Sequence, residues 1–244
     1  MPSIKKDDIN LGIDYCLKND LFKELNDLYN SIPNGDCIGC GKCCMESVGA
    51  NLVEFLNIYN YLNENNYIYN IVMEKILDYY FLEYKEKLPC PFKDSSNRCL
   101  IYDVRPLNCR IYGHWTKTDY NKNYDRIKKD NIEFAKYMNN EHNIKIEDDV
   151  LNYKIEYCKK FKPSIDYMNK NERMNYYDKG IVIDSKLYSK SIMDIEFRDR
   201  GIVEYFIESI FFNSVASNIR MNMTKNNSYK VLKRVKALVL REEG

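Results

Sequence analysis

The chain has 244 residues, enough for one large domain or two small ones with an ordinary buried core. Lysine and arginine total 37 and aspartate and glutamate total 36, so the net charge of +1 gives no reason to expect nucleic acid as a partner. Residues 1–8 carry no apolar signal core, and no uninterrupted apolar run approaches the length of a membrane span. We therefore expect a cytoplasmic protein, in which clustered cysteines are metal ligands rather than disulfides.

The first predicted element is an amphipathic helix over residues 7–30. Its apolar stripe consists of Ile9, Ile13, Leu17, Leu21, Leu25 and Leu28. Cys16 lies beside this stripe and is predicted to be a buried structural thiol, because free cysteine is often buried. Turn-forming residues at 33–35 end the segment and lead into a cysteine-rich stretch.

This stretch contains four of the nine cysteines within eight residues: Cys37, Cys40, Cys43 and Cys44. The CxxC spacing followed by Gly41 allows two thiolates to bind one metal from a tight turn in which glycine takes a positive φ. A helix would place the first, second and fourth cysteines on one face. In a loop, the first three instead match the first ligands of a bacterial ferredoxin motif. That motif requires a fourth cysteine where this chain has Ser47, which excludes an ordinary ferredoxin.

Two long helices are predicted after the cysteine-rich stretch. Apolar residues keep helical spacing from Val48 to Leu62 and again from Ile68 to Tyr84, with a polar connection between them. Aromatic residues at this spacing are typical of a packed core. We interpret the pair as a helical hairpin that serves as scaffold.

A second group of cysteines follows the hairpin. Prolines on both sides of Cys90 end the preceding helix, Cys99 follows in a polar loop, and Cys109 lies in a predicted short helix. Arg105 and Arg110 are interleaved with these cysteines, and guanidinium groups there can stabilise a thiolate site or bind an anion beside it. The alternative is that these arginines are ordinary solvated surface charge.

Five residues near this second group are candidates for binding a substrate or an anion if the protein is an enzyme: Tyr102, Arg105, Arg110, Tyr112 and His114. A histidine five residues after Cys109 can complete a metal site or act as an acid or base. Because many thiolates are already available, we expect His114 to pack beside the ligands instead.

The remainder of the chain is predicted from weaker patterns. Residues 119–145 have weak helical periodicity, and residues 147–158 are predicted to form a short helix that ends at Cys158 among lysines. Cys158 is therefore an eighth metal ligand or a buried structural thiol. Residues 164–188 are predicted to be a polar connection, followed by a helical tail from Ser189. The last helix has a basic face, which we interpret as solvated.

The two cysteine blocks, Cys37-x-x-Cys40-x-x-Cys43-Cys44 and Cys90 to Cys109, resemble those of a known family. The chain is similar to the YkgJ-type cysteine-cluster (CxxCxxCC) proteins, which are described as zinc- or iron-chelating. The resemblance implies about eight motif cysteines: Cys37, Cys40, Cys43, Cys44, Cys90, Cys99, Cys109 and Cys158. Flagellin lysine methylases share this pattern, which implies that the wider family includes a modifying activity, although no glycine-rich nucleotide loop is present in the chain.

We expect a mainly α fold with a helical scaffold around an irregular cysteine-rich metal-binding centre. The predicted division is a metal-binding domain over residues 1–163 and a C-terminal helical extension over residues 164–244. The favoured function is binding of one or two 4Fe-4S iron–sulfur clusters, with a redox or cluster-dependent modifying activity. The alternative is a zinc-stabilised protein-interaction module without catalytic activity, which would bind a protein or peptide partner. Thiolate ligands alone fit both metals.

Overall fold

The computed structural model describes residues 2–224 and 228–240, and these form a mainly α structure, as expected. The helices are α1 (Lys6–Lys18), α2 (Leu21–Asn30), α3 (Leu52–Asn63), α4 (Asn66–Leu82), α5 (Leu107–Ile111), α6 (Lys117–His142), α7 (Asp148–Leu151), α8 (Lys170–Ser189), α9 (Ile202–Glu208), α10 (Asn213–Met223) and α11 (Ser228–Val239). A single 3₁₀ turn covers Tyr112–His114. Two short strands, β1 (Gly35–Asp36) and β2 (Lys162–Pro163), pair antiparallel with Gly35 opposite Pro163.

The helical hairpin of α3 and α4 forms the centre of the core, as the sequence pattern predicts. Nine of the twelve residues of α3 are buried, which is typical of a helix surrounded by others. The ring of Phe55 stacks on Tyr205 at a centroid distance of 4.8 Å and meets Phe206 edge to face at 5.2 Å. One buried apolar cluster includes residues on both sides of position 163, and the division into two domains stays a prediction.

The predicted first helix is divided in two, which corrects the single helix expected over residues 7–30. Asp20 has a left-handed backbone with φ of 58°, a conformation that aspartate and asparagine tolerate better than most residues. The break changes the direction of the following helix. Leu17, expected in the buried stripe, lies near the end of α1 and is 57% exposed, whereas Leu21 and Leu25 of α2 are buried.

Two further predictions of secondary structure are wrong. The helix expected over residues 147–158 ends at Leu151, because the carbonyl groups of Ile155 and Glu156 accept hydrogen bonds from the hydroxyl groups of Tyr120 and Tyr112. The expected polar connection over residues 164–188 contains α8, a helix of 20 residues that packs on α2 and α3.

The C-terminal helices close one side of the core. Leu232, Val235 and Val239 of α11 are buried, and Lys236 pairs with Asp78 of α4 at 2.6 Å. In the described ranges, no helix combines the length and the apolar character that crossing a bilayer requires.

Candidate metal centre

The first cysteine block is an irregular loop rather than a helix. Gly39 and Gly41 have φ values of 62° and 64°, a region that glycine enters without steric cost. A side chain at Gly41 would come within 2.9 Å of Lys93 Cε and 3.0 Å of Asn97 Cβ. Glycine at this position therefore lets the first cysteine loop contact the second.

The two cysteine blocks are joined directly by their backbones. The Cys90 N–H donates to the Cys44 carbonyl at 3.1 Å, which fixes the start of the second block against the end of the first. Backbone pairing of Lys93 with Cys99 then folds the second block into a tight turn. Cys90 and Cys99 consequently lie on its two arms, next to Cys44.

A buried carboxylate holds the short helix that carries Cys109. Glu54 of α3 is 2% exposed, and its Oε1 accepts hydrogen bonds from the Leu107 N–H at 2.6 Å and the Tyr29 hydroxyl at 2.8 Å. Its Oε2 accepts from the Asn51 N–H at 2.9 Å. The carboxylate thus satisfies an orphan donor at the start of α5 and connects this helix to the core.

The segment that carries Cys158 is anchored by Phe161. A Cβ atom at Gly35 would lie 2.0 Å from Phe161 Cζ, and one at Gly113 would lie 2.5 Å from its Cγ. The phenylalanine ring therefore fits between the strand before the first cysteine block and the turn after Cys109, and only glycine leaves enough room there.

A single cavity of about 870 Å³ collects the cysteines that the sequence assigns to the metal site. Its lining includes Cys37, Cys40, Cys43, Cys44, Cys90, Cys99, Cys109 and Cys158. All nine cysteines of the chain are free thiols. Cys16, the ninth, is fully buried in the α1 core, as expected for a structural thiol.

The environment of the first block activates Cys44. A hydrogen bond from the Cys43 thiol, with further help from the cationic groups of Lys93 and Arg105, lowers the pKa of Cys44 to about 7. The same hydrogen bond and burial raise the pKa of Cys43. The lowered pKa favours the thiolate of Cys44, and the thiolate is the form that binds metal.

The pKa values of the cysteines in the second block are raised rather than lowered. Burial raises the pKa of Cys90 to about 12 and that of Cys99 to about 11, and the negative charges of neighbouring thiolates add to the effect. Cys109 is reached by solvent through the cavity, yet protein atoms surround it and raise its pKa well above the ordinary value, with added repulsion from Cys90, Cys99 and Cys44. A bound cation removes this penalty, because a coordinating thiol loses its proton.

The donor set fits a soft metal centre. Cys44, Cys90, Cys99 and Cys109 are close enough to repel one another electrostatically, and thiolates are the ligands of zinc and of iron–sulfur clusters. Within residues 2–224 and 228–240, no three His, Cys, Asp or Glu side chains are placed to hold one metal ion. The thiols are arranged around the walls of the cavity.

Residues 36–131 match the family model described as "CxxCxxCC: Putative zinc- or iron-chelating domain". The segment is similar to that family, and we refer to residues 36–131 as the CxxCxxCC domain. The match supports metal binding and contains seven of the eight cysteines in the cavity, while Cys158 lies beyond its end. Searches of curated proteins and of solved structures gave no match.

The structure distributes the five candidate substrate residues of the CxxCxxCC domain between two environments. Tyr102, Arg105 and Tyr112 line the cavity. Arg110 lies over the Tyr29 ring at 3.9 Å and donates to the Arg105 carbonyl at 2.9 Å, so it holds the loop before α5. His114 is 2% exposed and packs on Phe161 at a centroid distance of 4.6 Å, and burial lowers its pKa.

Sequence reasoning did not single out the residues that support the CxxCxxCC domain from outside its motifs. Glu54 follows Asn51 by three residues, which is a capping-box spacing that could have indicated the start of α3. Glu54 also accepts a hydrogen bond from the Leu107 N–H, which lies 53 positions away in the chain, and no local sequence pattern predicts this contact. No sequence pattern near Phe161 predicts its packing either, because the two glycines that leave room for its ring, Gly35 and Gly113, lie far away in the chain.

Proposed function

We propose that the cavity of the CxxCxxCC domain holds an iron–sulfur centre, with one or two 4Fe-4S clusters bound by Cys37, Cys40, Cys43, Cys44, Cys90, Cys99, Cys109 and Cys158. The observation that carries this proposal is the arrangement of eight free thiols around one cavity of about 870 Å³. Thiols spread over the walls of a cavity can reach a cluster of several atoms. A zinc ion instead requires its sulfur ligands to converge within about 2.3 Å of one point.

The charges around the cavity support a thiolate-bound centre. A site with four thiolates carries net negative charge, and Lys93 and Arg105 already favour the ionised form of Cys44. In an iron–sulfur protein, such cations and the degree of burial adjust the reduction potential. When bound, the cluster supplies electron transfer or activation of a substrate at this cavity.

The accessible face of the site is the proposed position of a substrate. Tyr102, Arg105 and Tyr112 line the cavity beside the thiols, so a redox or cluster-dependent modifying reaction would take place there. Arg110 and His114 would act by holding the loop and the turn around Cys109.

Replacement of single cysteines tests the ligand assignment. Cys40→Ser and Cys109→Ser are each expected to lower the iron and sulfide content of anaerobically purified protein and to reduce its stability, because metal binding and folding are linked. Cys16→Ala is the matched control, since Cys16 lies in the core away from the cavity. Full metal content in both serine variants would contradict the assignment.

Zinc is the alternative that the same experiment can detect. The CxxC spacing with Gly41 at positive φ is also the geometry of a zinc knuckle, and the family description includes zinc. Colourless protein that contains zinc, and loses it in the serine variants, would support a zinc-stabilised interaction module and reject the iron–sulfur centre.

A further inference from the structure

The cavity with the cysteines has a second wall of different chemistry. Helix α6 contributes Tyr120, Tyr124, Ile127 and Lys128, whose spacing places them on one helix face. Only two of the 26 residues of α6, Tyr120 and Met138, are buried. The inward face of this long helix therefore serves the cavity more than the core.

Apart from the thiols, the side chains that line the cavity carry an excess of positive charge. Its carboxylate, Glu46, pairs with Lys87 at 3.0 Å. Two lining cations, Lys128 and Lys160, have no carboxylate partner in the described part of the chain, whereas Arg105 already interacts with the Cys44 thiol and the Tyr102 ring. An anionic group that entered the cavity would meet unpaired cations from both walls.

Aromatic faces lie beside these cations. The rings of Tyr120 and Tyr124 are nearly parallel, with an interplanar angle of 14° and a centroid distance of 6.5 Å. Tyr102 and Trp115 line the cavity as well, and the guanidinium of Arg105 lies 3.7 Å from the Tyr102 ring centroid. Protein cations already lie over one face of three of these rings, Arg105 on Tyr102, Arg173 on Trp115 and Lys154 on Tyr124. A planar ligand would stack on the faces that these cations leave open.

We propose that this cavity binds a small organic anion with a planar ring, held between the face of α6 and the cysteine wall. The cavity of about 870 Å³ lies near the upper end of the range of roughly 300–1,000 Å³ that is typical of sites for small organic ligands, and the anion would share it with the metal centre. Lys128 and Lys160 bind the anionic group and the tyrosines bind the ring. The inference rests on the proposed function in one respect, since the metal centre would form the opposite wall.

Calorimetric titration of the metal-loaded full-length protein tests this proposal. The probes are adenosine monophosphate and 4-hydroxybenzoate, which are two sources of the same chemistry, with adenosine and inorganic phosphate as probes that lack the anion or the ring. We expect one or both ring-bearing anions to bind roughly tenfold more tightly than adenosine and phosphate, as the loss of one charge-assisted contact predicts. The tighter of the two ring-bearing anions shows whether the site prefers a nucleotide or an aromatic carboxylate.

A pair of variants separates specific binding from general attraction. Lys128→Ala combined with Lys160→Ala is expected to weaken binding by about tenfold or more, whereas Lys129→Ala, an exposed position on the same helix, is expected to leave it unchanged. The proposal is overturned if neither ring-bearing anion binds, if phosphate binds equally well, or if the double variant keeps full affinity.

Metal content measured on each sample keeps the two proposals distinct. Protein with a full metal centre that binds none of the probes overturns this inference alone. Protein that binds a ring-bearing anion but contains no metal overturns the proposed function alone.

Discussion

Replacement of Glu54 tests how the core positions the cysteine-bearing helix α5. Glu54→Ala removes the acceptor of three hydrogen bonds, from the Tyr29 hydroxyl and from the N–H groups of Asn51 and Leu107. A buried donor left without a partner costs about 1–3 kcal/mol. Burial raises the pKa of Glu54, which means that keeping its carboxylate charged in the core costs free energy. The substitution removes this cost, which offsets part of the loss. We therefore expect the free energy of unfolding to fall by about 3–5 kcal/mol.

The assay is equilibrium denaturation of the metal-loaded protein, together with its metal content. Metal content is expected to fall as well, because α5 carries Cys109 and loses its connection to α3. Glu64→Ala is the matched control, since Glu64 is exposed at the end of the same helix and makes only a 3.3 Å contact with Asn60. A loss below about 1 kcal/mol in Glu54→Ala, or an equal loss in both variants, would refute the reasoning.

Three further substitutions test other parts of the account. Gly113→Ala places a methyl group 2.5 Å from Phe161 Cγ, so we expect a loss of about 1–3 kcal/mol in denaturation and a lower metal content, and unchanged values would contradict the packing described here. Burial raises the pKa of Asp184 from 3.8 to about 6, so its native state holds a proton more tightly than its unfolded state. Wild-type stability should therefore fall relative to Asp184→Asn as the pH rises from about 4 to 6, by up to about 3 kcal/mol, and parallel pH profiles would contradict this. Cys16→Ala should keep its metal while losing about 1 kcal/mol of stability, so a loss of metal would place Cys16 in the site.

The sequence predicts the parts of this protein that depend on local patterns. The α3–α4 hairpin has a sustained apolar period, and the two cysteine blocks have a spacing specific enough to indicate the family model that matches this segment and the cysteines that line the cavity. The positive φ of Gly41 was also predictable, because a tight turn after CxxC requires it.

The parts of the structure that the sequence does not predict depend on contacts between residues far apart in the chain. Helix α8 has no apolar stripe, because its buried face includes Arg173, Gly180 and Asp184. Arg173 pairs with Asp119 at 3.0 Å and lies over Trp115 at 4.2 Å, and Asp184 accepts from the Val53 N–H at 2.7 Å. Partners more than 50 positions away make these polar residues suitable for burial, and no local pattern records them.

The end of α7 at Leu151 also depends on contacts with residues far away in the chain. Carbonyl groups of Ile155 and Glu156 bind tyrosine hydroxyls of other segments, and these bonds replace the helical ones that the apolar spacing predicts. Cys158 reaches the cavity as part of this extended segment rather than at a helix end.

The iron, acid-labile sulfide and zinc content of freshly isolated protein, prepared without oxygen and recorded with its visible absorption spectrum, tests the central claim most directly. Thiols arranged around a cavity predict iron and sulfide in similar amounts and a coloured protein that bleaches on reduction or on loss of the cluster. Colourless protein that holds zinc alone, or no metal at all, would contradict the iron–sulfur centre.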